Sequence, residues 1–193
     1  MIAFVSGKFV AKLPSQVIVD VNGVGYDLQI SLNTYSFISN KESGKLLTYL
    51  HITENAQTLY GFFDQEEKDL FLQLISVSGV GASTARMMLS GLKPDEIIRS
   101  IVNNNTKQLE SIKGIGKKTA ERIVLELKDK LGRLQTTTVN SPYSINTVES
   151  DALNALVALG IQKNIAEAAI KKVISSGNNS SVENIIKLAL KNL

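Results

Sequence analysis

The sequence contains no cysteine and no tryptophan, and it has one histidine and three prolines in 193 residues. Without cysteine it can form neither a disulfide nor a thiolate metal site, which is typical of cytoplasmic proteins. No apolar run reaches the roughly 18 residues that a membrane-spanning helix needs, and the N-terminus lacks the basic start and apolar stretch of a signal peptide. We therefore predict a cytoplasmic protein with no membrane partner.

Residue patterns that support catalysis are also missing. A phosphate-binding P-loop would need glycine at 111 and serine or threonine at 118, where the sequence has Ser111 and Lys118. The single histidine, His51, has no cysteine or second histidine at metal-ligand spacing. The sequence predicts no catalytic residue, no metal and no cofactor.

The charge of the chain is unevenly distributed. The net charge is only +3, and 44% of the residues are hydrophobic, as in globular proteins. Residues 1–63 contain as many acidic as basic side chains. In residues 113–133 the acids Glu121, Glu126 and Asp129 are outnumbered by Lys113, Lys117, Lys118, Arg122, Lys128, Lys130 and Arg133. A local positive excess of this kind favours binding of nucleic acid.

The basic segment opens with a glycine-rich turn that leads into a helix. Glycine allows a tight turn and leaves no side chain in the way of an approaching group. Unpaired N–H groups at the helix N-terminus favour a phosphate. The pattern predicts a sequence-independent DNA clamp made by Lys113, Gly114, Ile115, Gly116, Lys117, Lys118 and Arg122. The alternative is an ordinary corner between helices with solvated lysines.

An internal repeat favours the clamp. Residues 76–85 match residues 111–120 position by position, and each copy lies between two apolar helix-like segments. This is the pattern of a helix-hairpin-helix motif present twice, and tandem copies would hold two neighbouring phosphates of one duplex. The earlier copy adds Gly79, Val80, Gly81 and Ser83 to the predicted DNA-binding residues.

The flanking regions predict two further domains. Residues 1–63 read as five strands, with a hairpin turn at Asn22-Gly23 and a short helix at 33–39, which fits an OB-type barrel. Residues 64–134 have helical periodicity, with Gly91 as a helix cap, Pro94 in a first turn and Thr106 as an N-cap. Residues 135–148 are uncharged and rich in Thr, Ser and Asn, which predicts a flexible linker. Residues 149–193 predict a three-helix bundle.

The order and spacing of several stretches resemble the RuvA family over nearly the whole chain. The matching stretches are residues 22–26, 59–62, 70–81, 114–122 and 155–160. The resemblance implies an α+β multi-domain protein with an OB-fold domain, a tandem helix-hairpin-helix domain and a C-terminal UBA-like bundle. It also implies a homotetramer, alone or as one of two on the junction, that holds a Holliday junction open and square.

Partners are implied by the same resemblance. The C-terminal bundle would recruit the ATPase RuvB for branch migration, with Leu156, Leu159, Gly160 and Ile161 as the contact residues. The resolvase RuvC would cut the same junction. A different class of protein, a helix-hairpin-helix repair enzyme such as a nuclease or glycosylase, remains the alternative.

The sequence departs from the family pattern at two places. The family usually has two adjacent acids, the acidic pin, in the turn before the last strand, and here that turn reads Glu54-Asn55. We therefore expect a weaker repulsion of junction phosphates. The first hairpin has Ser83 where the family commonly has lysine, so this clamp is expected to depend mainly on backbone N–H groups.

Overall fold

The computed structural model describes residues 1–138, 148–175 and 181–191. The chain divides into two compact units, Met1–Thr137 and Thr138–Leu193. The predicted linker over 135–148 differs at both ends from what is observed, because residues up to Thr138 are helical and the next helix starts at Val148. After Gly132 the next helix-breaking residue is Pro142, so nothing ends the helix at 135. The rest of the predicted linker, residues 139–147, lies outside the described residues.

The first unit begins with the predicted OB-type barrel. Its strands are β1 (Phe4–Leu13), β2 (Gln16–Val21), β3 (Val24–Ile30), β4 (Ser43–Ile52) and β5 (Gln57–Phe62). They close in the order β1-β2-β3-β5-β4, with β4 paired back onto β1 and β3 parallel to β5. Alternate residues such as Val17, Val19 and Leu28 fill the interior. The predicted hairpin turn is confirmed, since Asn22 and Gly23 have φ values of 52° and 87°.

A short helix, α1 (Leu32–Ile38), joins β3 to β4 as the sequence predicts. It starts one residue earlier than predicted because Ser31 acts as the N-cap, and the Ser31 hydroxyl accepts a hydrogen bond from the Thr34 N–H at 2.9 Å. Helix α1 lies against the helical part of the unit as well as the barrel. Its first residue, Leu32, donates its N–H to the Ser90 hydroxyl at 3.1 Å.

Five helices follow the barrel: α2 (Gln65–Ile75), α3 (Ala82–Gly91), α4 (Pro94–Val102), α5 (Thr106–Glu110) and α6 (Lys117–Thr138). Their buried side chains form one hydrophobic core that also includes Tyr60 and Phe62 from β5. Phe71 of α2 packs against both, with ring centroids 5.1 Å and 4.9 Å away. The outer face of the barrel is therefore part of the core of the helical domain.

Two predicted helix ends are wrong. Gly91 does not cap α3 in a left-handed conformation but belongs to the helix, and the cap, Leu92, is extended with a φ of −137°. The extended path continues through Lys93 because a residue before proline avoids helical angles, and Pro94 then starts α4. Thr106 is the first residue of α5, and the N-cap is Asn105, whose side chain accepts from the Gln108 N–H at 3.3 Å.

The second unit contains the three predicted helices, α7 (Val148–Ala158), α8 (Lys163–Ser175) and α9 (Val182–Lys191). Small side chains at the helix contacts let the three helices approach closely, and the core is formed by Ala152, Leu156, Ala166, Ala169, Ile170, Val173, Ile185 and Ala189. Gly160 ends α7 with a φ of 89°, which allows the Ile161 N–H to bond the Leu156 carbonyl at 3.1 Å.

A buried carboxylate joins the barrel to the helical domain. Glu67, in the first turn of α2, is fully buried and accepts hydrogen bonds from the hydroxyls of Ser31 and Thr34, the latter at 2.5 Å. Thr34 in turn accepts from the Phe63 N–H at 3.0 Å. Burial raises the pKa of the Glu67 carboxyl above 4.5, and the hydroxyl hydrogen bonds oppose that shift only in part.

We predict that Glu67→Ala lowers the free energy of unfolding of the first unit by about 2–4 kcal/mol, because it leaves two buried hydroxyls without their acceptor. Urea denaturation of the full chain measures the effect. Glu66→Ala is the matched control, since this exposed acid lies in the same turn and should cost less than about 1 kcal/mol.

The pH dependence follows from the direction of the Glu67 shift. A carboxyl whose pKa is raised on folding contributes stability below its unfolded pKa, and this stability is lost as the pH rises through the folded pKa. Glu67→Gln cannot titrate. The stability difference between wild type and Glu67→Gln should therefore shift in favour of the variant as the pH rises above 4.5. If the stabilities of wild type and Glu67→Gln changed with pH in parallel, titration of Glu67 would not contribute to the pH dependence.

Candidate nucleic-acid interface

The first hairpin connects α2 to α3. The chain leaves α2 through two tight turns, in which the Val77 N–H bonds the Leu74 carbonyl at 3.1 Å and the Val80 N–H bonds the Val77 carbonyl at 3.0 Å. Gly79 lies between them with a φ of 91°, where any side chain would strain the backbone. The helix then begins with the Ala85 N–H bonded to the Gly81 carbonyl at 2.9 Å.

The second hairpin repeats this geometry between α5 and α6. The Ile112 N–H bonds the Leu109 carbonyl at 3.2 Å, and the Ile115 N–H bonds the Ile112 carbonyl at 3.0 Å. Gly114 has a φ of 93°, and the Ala120 N–H bonds the Gly116 carbonyl at 2.9 Å. The repeat seen in the sequence is therefore a repeat of backbone conformation, and the predicted tandem helix-hairpin-helix domain is confirmed.

Each hairpin presents backbone donors to the surface. The N–H groups that precede the first helical bond, at residues 81–84 and 116–119, have no acceptor within their helix. At Gly81, moreover, no side chain caps the helix. Space above the turn glycines is open, since a Cβ built on Gly79, Gly81, Gly114 or Gly116 meets nothing within 4 Å. This arrangement suits an anionic oxygen at each helix N-terminus.

Two of the predicted DNA-binding residues have buried side chains. Val80 and Ile115 are only 4% and 5% exposed, and both side chains belong to the hydrophobic core. Their N–H groups are bonded inside the turns, so neither the side chain nor the amide is available to a ligand. They anchor the hairpins instead. The repeat marked them as equivalent positions, but an apolar residue between two glycines does not reveal which way its side chain points.

The second hairpin carries most of the charge. Lys113, Lys117 and Lys118 are exposed, and none of them forms an ion pair within the described residues. At the positions equivalent to Lys117 and Lys118, the first hairpin has a buried Ala82 and an exposed Ser83. The first hairpin thus offers N–H groups and a hydroxyl, while the second offers N–H groups and ammonium groups.

Arg122 of α6 reaches across to the first hairpin. Its Nη1 donates to the Ser78 carbonyl at 3.3 Å, and its Nε lies 3.4 Å from the Glu126 carboxylate. The side chain is exposed. Its positive charge therefore lies beside the hairpin that has no lysine of its own, which the sequence position of Arg122 in the second hairpin does not indicate.

Arg86 is a polar contact that sequence reasoning missed. It is the sole charged residue of α3, and its Nη1 donates to the Ser15 carbonyl and to the Gln29 Oε1, both at 2.8 Å. These acceptors belong to the barrel. A single arginine in an otherwise uncharged helix could have indicated a specific contact. Its partners could not be identified, because they are far away in the sequence.

The residues predicted to form the acidic pin lie at the tip of the β4–β5 hairpin. The turn is closed by a hydrogen bond from the Thr53 N–H to the Ala56 carbonyl at 2.9 Å. Glu54 and Asn55 occupy its two central positions, and both are exposed. The hairpin stem next to α2 is packed, with the Tyr49 and Phe71 ring centroids 5.6 Å apart. The pin is therefore a short polar tip on a packed stem.

The predicted partner-binding residues of the second unit separate into exposed and buried ones. Leu159 is 64% exposed and Gly160 is exposed, while Ile161 is half-buried. Leu156 is fully buried in the core of the unit, and its assignment as a contact residue stays a prediction. Leu159 follows the last residue of α7, Ala158, so the periodicity that places Leu156 in the core does not fix the position of Leu159.

The described residues contain neither a cluster of metal ligands nor a membrane-spanning helix. Within residues 1–138, 148–175 and 181–191, no three His, Asp or Glu side chains come together as a metal site. In the same ranges, no helix is long and apolar enough to cross a bilayer. His51 is half-buried on β4, with its ring between those of Tyr49 and Tyr60 at 6.1 Å and 6.3 Å.

Comparison with known protein families assigns each part of the chain. Residues 1–61 match the family model described as the RuvA N terminal domain, residues 71–129 match the SAM-like helix-hairpin-helix tandem, and residues 147–193 match the RuvA C-terminal domain. These three segments correspond to the barrel, the two hairpins with their helices, and the second unit.

Several relatives match the chain over its whole length. The chain is 45% identical to the Holliday junction branch migration complex subunit RuvA of Flavobacterium psychrophilum over 193 residues, covering 100% of both chains. It is 45% identical to the protein of that name from Amoebophilus asiaticus, covering 99% of this chain and 100% of the relative. The corresponding protein of Bacteroides fragilis is 42% identical, with both chains fully covered.

We predict that replacing Lys117 and Lys118 together by alanine weakens binding to all DNA shapes in similar proportion, because phosphate contacts carry no sequence information. Each lost phosphate contact should reduce the slope of log K against log salt concentration by about 0.9. Titrations at several salt concentrations measure this. The control is Lys171→Ala with Lys172→Ala, an adjacent lysine pair on α8. An unchanged slope for the hairpin variant would rule out these lysines as phosphate ligands.

Proposed function

Because the chain belongs to the RuvA family, we propose that it is the non-catalytic, junction-binding subunit of a branch-migration complex in DNA recombination and repair. The observation that carries this proposal is the pair of hairpins with the same backbone conformation in one folded unit. Each hairpin offers helix N-terminal N–H groups to a phosphate, so the pair grips a duplex at two points without reading its sequence.

A tetramer with four-fold symmetry would place one such pair of hairpins on each arm of a four-way junction. Exposed apolar side chains on the barrel support self-association, among them Phe4, Val10 and Leu13 of β1 and Val24 at the start of β3. Symmetric assembly is the usual route by which a single chain matches a symmetric ligand. In this arrangement the four arms lie in one plane and the junction is held open and square.

The β4–β5 tips would meet at the centre of this tetramer. Four copies of Glu54 would then carry negative charge at the point where the strands separate, and would repel phosphates that lie across the centre. Attraction at the hairpins and repulsion at the centre together favour a junction with an open middle over a continuous duplex. Asn55 in place of a second acid makes this repulsion weaker than with two acids per subunit.

The second unit is proposed to recruit the ATPase RuvB, which would supply the ATP-driven movement of the DNA arms. Apolar side chains at the end of α7 and the start of α8 are exposed and available to a partner, namely Val157, Leu159 and Ile165. RuvC would act on the same junction by cutting it. The chain itself would hold and present the DNA.

The test is a gel-shift comparison of a four-way junction with a linear duplex of the same length, with the mass of each complex measured. We expect the junction to be bound more tightly, and the complex to contain four chains or eight. Equal affinity for both DNAs, or cleavage of the junction by the purified chain, would contradict the proposal.

The proposed role of the pin predicts how the preference for a junction over linear duplex changes when the charge of the pin is changed. Glu54→Gln should raise affinity for linear duplex more than for the junction and so narrow the preference, while Asn55→Asp should widen it. The effect should be largest at low salt, because screening limits the reach of exposed charges to about 10 Å at 0.1 M. The ratio of the two dissociation constants at two salt concentrations is the measurement. A ratio unaffected by Glu54→Gln at low salt would remove the pin as an electrostatic selector.

If the exposed apolar surface of the second unit binds RuvB, a substitution there should affect stimulation of RuvB and not junction binding. Leu159→Asp should abolish stimulation of the RuvB ATPase while leaving junction affinity unchanged, because the residue is exposed and lies outside the hairpins. Leu190→Asp is the matched control, since it introduces the same charge at an exposed leucine on α9. Equal loss of stimulation in both variants would argue against a specific surface at the end of α7.

A further inference from the structure

A polar groove lies between α3 and the barrel, next to the first hairpin. Its volume is about 400 Å³, enough for one phosphodiester group. Side chains from β3, β5 and α3 line it, including Asp27, Gln29, Thr58, Tyr60, Ser83 and Arg86. Ser83 belongs to the first hairpin's helix N-terminus, so the groove continues from the predicted phosphate site of that hairpin.

Arg86 places an unneutralised positive charge in this groove. Among the described residues, only its Nη1 has acceptors, the Ser15 carbonyl and the Gln29 Oε1. The guanidinium has five N–H donors, so those on Nε and Nη2 are left for a ligand. No carboxylate of the described residues lies within ion-pair distance of Arg86. Its charge also reaches the groove wall, because it lowers the pKa of Tyr60 against the larger upward effect of burial.

Asp27 is the one acid in the groove. Both of its carboxylate oxygens accept from the Gln16 Nε2 at 2.8 Å, so the side chain is held by a neighbour on β2 rather than by Arg86. Its negative charge opposes an anion, which makes the groove's affinity for phosphate depend on the balance between these two residues. Substitutions at Asp27 and Arg86 should therefore act in opposite directions.

We propose that Arg86 binds a DNA backbone phosphate in this groove and supplies the charge that Ser83 does not. Arg86 lies one helical turn after Ser83 on α3, so both face the groove from the same helix. A guanidinium fixed on one nitrogen by the barrel is preorganised for a phosphate on its free edge. The first hairpin would then hold the duplex through its N–H groups and Arg86, where the second uses N–H groups and Lys118.

The competing explanation is that Arg86 only fastens α3 to the barrel. Both explanations predict weaker binding when Arg86 is lost, but they differ in charge dependence. A phosphate ligand contributes to the salt slope, and its charge can be replaced from a neighbouring position. A fastening residue changes the position of the hairpin, and a lysine at 83 cannot restore the hydrogen bonds to Ser15 and Gln29.

The experiment compares junction binding of the full chain with that of Arg86→Gln over a range of salt concentrations. We expect about a tenfold loss of affinity at low salt and a slope reduced by about 0.9, the value for one phosphate. Adding Ser83→Lys to Arg86→Gln should restore most of the lost affinity and most of the lost salt slope. Arg86→Lys should leave the salt slope at its wild-type value. Asp27→Asn should strengthen binding. Arg99→Gln on α4, with the same change of net charge, is the control and should leave the slope unchanged.

An unchanged slope in Arg86→Gln, or a loss that Ser83→Lys does not rescue, would overturn the inference. Urea denaturation of each variant shows whether a loss comes from unfolding. The inference rests on the proposed function, but the two fail differently. If wild type shows no preference for a junction over duplex, the proposed function is wrong. If wild type keeps that preference and Arg86→Gln behaves like Arg99→Gln, only the role of Arg86 is wrong.

Discussion

The structure depends on the fixed attachment of the barrel to the helical domain. Glu67 makes this attachment by accepting hydrogen bonds from Ser31 and Thr34 across the boundary, in a site closed to water. A buried carboxyl is unfavourable by itself, so it is tolerated because both oxygens have donors. Phe71 adds the apolar part of the same contact. With the boundary fixed, the pin on the barrel and the hairpins on the helices keep a constant separation.

Constant separation matters because the proposed ligand is recognised by shape. The two hairpins would bind through backbone groups, whose positions are set by left-handed glycines and by buried Val80 and Ile115. Side-chain charge then differs between them, with lysines on the second hairpin and Ser83 on the first. Two arginines add positive charge next to the first hairpin. Arg122 lies beside Ser78, and Arg86 lies in the groove next to Ser83.

Local sequence rules accounted for the barrel, the hairpins and the Asn22-Gly23 turn, because each is specified by residues adjacent in the chain. They failed where a distant residue decides the outcome. Glu67 reads as one of several acids at a helix start, and its acceptor role appears only when Ser31 and Thr34 are brought to it. The burial of Leu156 and the partners of Arg86 depend in the same way on packing between elements. The predictions of two helix ends were wrong for a different reason, because several neighbouring residues can each cap a helix.

A DNA-binding protein can select one DNA shape if opposite charges are held at fixed positions. In the proposed function, hairpin N–H groups and lysines would attract the phosphates of any duplex, whatever its sequence. A repulsive element that opposes a continuous duplex but not an open junction would add to the preference for a junction. In the proposed tetramer Glu54 is that element, and one acid per subunit is a small charge. Its effect would therefore depend on the number of carboxylates and on their distance from the phosphates, and the Glu67 contact keeps the pin at a constant distance from the hairpins.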